Sequence, residues 1–142
     1  MAHPAMRSRR GRRGITVVEV ALMLPLLLLL IFGLIEYSWA FLKAGEITNA
    51  ARECARYAIS PDVTTVGQLT SSSSPLVQSL EKAGINLADV NLHVPTGVTP
   101  GRGQEVEISL TVPYERIKLL GVPLMPGPST LSATVRMMKE GP

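Results

Sequence analysis

ITVVEVALMLPLLLLLIFGLI, residues 15–35, is the stretch on which the fold turns. Its 21 residues hold one ionisable side chain, Glu19. At about 1.5 Å per residue, a helix of that length spans about 30 Å, the hydrocarbon thickness of a bilayer. A secretory signal core has only about 7–15 apolar residues before a small-residue cleavage site. This run is longer, and Tyr37 and Trp39 crowd any cut after Ala40. The segment therefore predicts a retained transmembrane helix. Glu36, Tyr37 and Trp39 fall at its outer edge, where aromatic rings settle at the membrane interface.

Residues 1–14 contain Arg7, Arg9, Arg10, Arg12 and Arg13 and no acid. The whole chain carries a formal +3, so without these five arginines the remainder is net −2. A nucleic-acid-binding domain spreads Lys and Arg over a folded face. Here the charge sits directly before an apolar run, where it acts as a topology anchor holding the N-terminus in the cytoplasm. The basic character thus points to a lipid bilayer and away from nucleic acid.

Glu19 is the anomaly. A carboxylate in an apolar span costs about 2.5–3.5 kcal/mol on insertion scales, so it either faces a partner or lies near enough to the cytoplasmic interface to snorkel. Pro25 removes one helical hydrogen bond and kinks the helix, which membrane helices tolerate.

The helix is expected to continue outside the membrane, for about 45 residues and about 65 Å in all. Ala44, Ile47, Ala51, Cys54, Ala55 and Ala58 recur three and four apart as a small-residue stripe, with Lys43, Glu46, Asn49, Arg52, Glu53 and Arg56 on the solvated side. Ser60-Pro61 ends it. Residues 62–74 are polar and read as a flexible connection or weak helix. Ser74 and Pro75 then open a short helix that Gly84 closes. Three segments alternate apolar and polar residues: 90–95, 106–114 and 131–137. Between the last two runs a proline-rich apolar excursion, residues 117–128, which is either a docking patch or a loop tucked onto the sheet.

The expected architecture is α+β, with a long helix packed on a small antiparallel sheet of about three strands. Four regions follow: a basic leader at 1–14, a transmembrane helix at 15–36, its continuation at 37–60 and a small exported α+β domain at 61–142. Enzyme chemistry finds no foothold, because the sequence has no nucleophile–base pair at recognisable spacing and no phosphate loop. Cys54 is the one cysteine, and His3 and His93 are too few for a metal centre. No cofactor and no small-molecule substrate is expected.

A basic leader ending in glycine, a glutamate five residues on, and a long helix leading to a small sheet together resemble a type IV pilin precursor. The closer similarity is to the TadE-like pseudopilins of the tight-adherence (Tad/Flp) pilus system. It is carried by Gly14, by Val18-Glu19-Val20-Ala21-Leu22 with Pro25, by Gly33-Leu34-Ile35-Glu36-Tyr37, and by Asn49-Ala50-Ala51-Arg52-Glu53-Cys54-Ala55-Arg56. Val20 stands where that family usually has an aromatic residue, and Cys54 where glycine is common. The resemblance implies cleavage between Gly14 and Ile15 by a prepilin peptidase. It also implies that Glu19 pairs with the new N-terminus of a neighbouring subunit, offsetting the desolvation of both charges. The implied partners are other pilin-like subunits and the inner-membrane assembly machinery. The alternative is an uncleaved signal-anchored envelope protein that presents a partner-binding domain.

Overall fold

The structure is a computed structural model that describes residues 11–99, 103–121 and 127–139. Helix α1 spans Gly11–Ala58, α2 Val66–Leu69 and α3 Pro75–Lys82; strands are β1 Asn91–His93, β2 Glu105–Pro113 and β3 Thr130–Met138. Short 3-10 turns occupy Leu87–Asp89 and Tyr114–Arg116. The chain divides after Ile35 into an N-terminal unit and a second unit that begins at Glu36.

In the N-terminal unit α1 contains Pro25 without ending there. From Val17 to Phe32 every described side chain is exposed, leucines and valines included. Such an apolar surface has no stable place in water, and the helix is long and apolar enough to cross a membrane.

In the second unit, Ala40, Ile47, Ala50, Ala51, Cys54, Ala55 and Ala58 bury one face of α1. Small side chains allow the backbone to approach the sheet closely. The helix tightens at its end, where Ser60 N donates to Tyr57 O at 3.1 Å, and Pro61 prevents continuation.

The sheet is antiparallel in the order β1-β2-β3. Central β2 turns Val106, Ile108, Leu110 and Val112 into the core, all fully buried, while Leu110 faces Ala133 across the register. On the other face Arg136 Nε donates to Glu107 Oε2 at 2.8 Å, and Ser109 and Thr134 hydroxyls meet at 3.2 Å. The architecture is α+β, one long helix on a three-stranded antiparallel sheet, as the alternating segments predict.

Helix α3 has the predicted caps. Ser74 Oγ accepts from Val77 N at 3.3 Å, and Pro75 occupies the first turn. Gly84, at φ +66, supplies the left-handed residue that lets Ile85 N reach Leu80 O and Gly84 N reach Glu81 O, both at 2.9 Å.

Residues 62–74 take the weak-helix alternative: Val63 and Leu69 are fully buried, and Gln68 Oε1 accepts from Thr64 N and Thr65 N at 2.8 and 3.0 Å, starting α2. Two expectations for the strands need correction. The first strand is only three residues long. Tyr114 leaves β2 for a 3-10 turn, where its N–H donates to Ser129 O at 3.0 Å.

Candidate functional site

Two groups of residues stand out, one in each unit. In the N-terminal unit Gly14 and Ile15 lie in the helical backbone of α1, as do Arg12 and Arg13. Arg7, Arg9 and Arg10 lie outside the described residues. Glu19 is exposed one turn further along and lines a shallow apolar hollow with Val20, Met23, Leu26, Leu27 and Leu30. Pro25 falls within the same stretch. A carboxylate on an otherwise apolar helix surface is a strong local preference for whatever cation or donor can reach it.

The second group surrounds Glu36, the first residue of its unit. Its carboxylate is buried, which requires partners. Oε1 accepts from the Tyr114 hydroxyl at 2.7 Å, and Oε2 accepts from Leu120 N at 2.9 Å. The Tyr114 phenol is pushed up to about 12, first by burial and then by the neighbouring carboxylate. Three residues along α1, Trp39 Nε1 donates to Ile117 O at 2.7 Å. Residues 114–120 are thereby tied to one end of α1's outer half. Tyr37, the third residue expected at the membrane edge, is partly exposed.

Lys43 corrects the helical-face assignment. It was expected among the solvated residues, yet it is buried. Its ammonium sits 4.7 Å over the Trp39 ring, pairs with Glu46 Oε2 at 2.8 Å and donates to Ala83 O. Ala83 caps the C-terminus of α3, where carbonyls lack intrahelical partners and cations are favoured. The lysine thus serves as a cap supplied by another helix. Its position three residues after Ala40 and four before Ile47 was the available signal, masked by its charge.

Among the described residues no three His, Cys, Asp or Glu side chains gather as a metal site. Cys54 is a free, buried thiol, pushed up to about 12 by desolvation. Geometry and sequence meet in the first 45 or so residues of α1, an apolar helix bearing Glu19 and Pro25 and running into a small-residue face.

Residues 14–56 match the TadE-like protein family. No curated protein and no solved structure matches the chain. The TadE-like segment holds Gly14, Glu19, Pro25, Glu36, Trp39, Lys43 and Cys54, and it stops at Arg56, two residues before α1 ends. It therefore covers the membrane-competent helix and the helical face that packs on the sheet, but not the sheet itself. Over that stretch the chain is similar to TadE-like proteins, and its described part of α1 is long and apolar enough to cross a membrane.

Proposed function

We propose that this protein is a membrane-anchored minor pilin or pseudopilin of Tad-type pilus assembly, processed by a prepilin peptidase after Gly14. The observation that carries the proposal is the TadE-like match beginning at Gly14, at the head of an apolar helix whose one acidic residue before Glu36 is Glu19. In this reading Arg7, Arg9, Arg10, Arg12 and Arg13 hold the leader in the cytoplasm. Residues 15–36 cross the inner membrane, Glu36, Tyr37 and Trp39 lie near its outer face, and the domain following residue 60 is exported.

Cleavage between Gly14 and Ile15 would leave an ammonium on Ile15. Glu19 of an adjacent subunit would then accept it, so that two charges costly in lipid are brought together. Such a pairing makes lateral association in the membrane conditional on processing. Pro25 would supply local flexibility for packing. The partners are the peptidase, other pilin-like subunits and the inner-membrane assembly machinery, and the role is one of assembly rather than catalysis.

The decisive experiment is the intact mass of the membrane-extracted protein, with and without the prepilin peptidase. A peptidase-dependent start at Ile15 is expected. A full-length chain in both strains would instead establish the uncleaved signal-anchored reading, with Glu19 snorkelling. Glu19→Val should leave membrane insertion intact while abolishing pilus assembly, scored by fractionation and by piliation; normal piliation would remove the pairing role.

A further inference from the structure

Leu119 and Leu120 are each 48 % exposed, and beyond α1 they are the described leucines that the second unit leaves most open, since Leu69, Leu76, Leu80 and Leu110 are buried. Their place is set by Glu36, because the Leu120 N–H donates to one carboxylate oxygen while the Tyr114 hydroxyl occupies the other. Glu36 directly follows Ile35, the last residue of the apolar run. The two leucines therefore sit beside the point at which the chain leaves that run. The surface there is apolar on the helix as well: Phe41 is 77 % exposed and Tyr37 44 %. Phe41 lies five residues beyond Glu36, about 7.5 Å along the axis, which is about the depth of the headgroup zone.

We propose that Leu119 and Leu120 form a second lipid contact, entering the boundary between headgroups and acyl chains on the exported side. The proposal rests on the reading of the helix as membrane-spanning. Continuity with the apolar run is what selects lipid as the occupant. The backbone also permits it: Leu120 N is already bonded to Glu36, and Ile117 O to Trp39 Nε1, so these groups enter an apolar medium with partners in place. The contact would add to the apolar area that the chain places in lipid beyond the helix itself.

The test uses the full chain in vesicles of phosphatidylcholine and phosphatidylglycerol. Cysteines introduced one at a time by Leu120→Cys, Leu27→Cys and Glu105→Cys, in a Cys54→Ala background, carry an environment-sensitive fluorophore. Leu120→Cys retains the backbone N–H that binds Glu36, and unchanged Trp39 emission verifies the fold. Lipids bearing a nitroxide near the headgroup should quench the probe at 120 at least about twofold more than the probe at 105, with matching protection from aqueous iodide. A probe at 120 as open to iodide as that at 105, while 27 is quenched by deep nitroxides, overturns the lipid contact and leaves the span standing. Loss of quenching at 27 overturns the span itself. Protection at 120 that disappears at one chain per vesicle assigns the surface to a second copy and overturns the lipid contact.

Discussion

Replacing Tyr114 by phenylalanine isolates one atom of the cluster around Glu36. The ring remains to fill its buried site, and only the hydroxyl that donates to Glu36 Oε1 at 2.7 Å is lost. A hydrogen bond to a charged group contributes about 1.5–3 kcal/mol net, and Glu36 is buried enough that water cannot fully replace the donor. Tyr114→Phe should therefore destabilise the second unit by about 2 kcal/mol, a lowering of Tm by about 10 °C for a domain of this size. Glu36→Gln keeps an oxygen that can accept from Leu120 N but removes the charge. In a double-mutant cycle the two changes should show a coupling of at least about 1 kcal/mol, because they share one bond. The assay is thermal unfolding of the detergent-solubilised chain followed by Trp39, the single tryptophan, whose Nε1 is bonded to Ile117 O in the same cluster. Strict additivity, or a Tyr114→Phe protein within about 0.5 kcal/mol of wild type, would refute the reasoning.

Other outcomes follow from the same geometry. Tyrosine absorbance in an alkaline titration should show one of the three tyrosines ionising late, near 12, and only after unfolding at its ordinary value. Because its folded pKa is raised, Tyr114 contributes stability that is complete below about 10 and lost as pH rises through about 12; stability flat across that window would contradict this. Cys54 should resist maleimide at pH 8 in the folded chain and react once unfolded, since its thiol is fully buried and pushed up to about 12; rapid labelling of the native protein would disprove it. Ala51→Leu should destabilise by about 1–3 kcal/mol or more by forcing α1 off the sheet, whereas the exposed Asn49→Leu should change stability by no more than about 0.5 kcal/mol in denaturant titrations.

Much of the fold is written locally. The apolar run from residue 15, the small-residue stripe after Ala40, the Ser74-Pro75 start and Gly84 stop of α3, and the alternation through β2 each depend on residues no more than a few positions apart. Periodicity and capping report such relations directly. The short α2 was legible only as one of two alternatives because its polar composition resembles a linker, while its anchors, Val63 and Leu69, become visible only as buried residues. Membrane competence and the position of Glu19 were equally legible, being properties of a single helix.

The partners of the buried polar groups were a different matter. Glu36 meets Tyr114 and Leu120 across 78 and 84 residues, Trp39 meets Ile117 across 78, and Lys43 meets Ala83 across 40. Nothing in the spacing of these residues names their partners. Sequence determined which elements form and which faces are apolar, because propensity, periodicity and capping act over a turn or two. Tertiary structure alone decided which donor satisfies which buried acceptor, because that choice depends on where the packed sheet returns the chain. Lys43 shows the consequence: its charge predicts solvent, but burial beside the open carbonyl at the end of α3 gives its ammonium a better place than the surface.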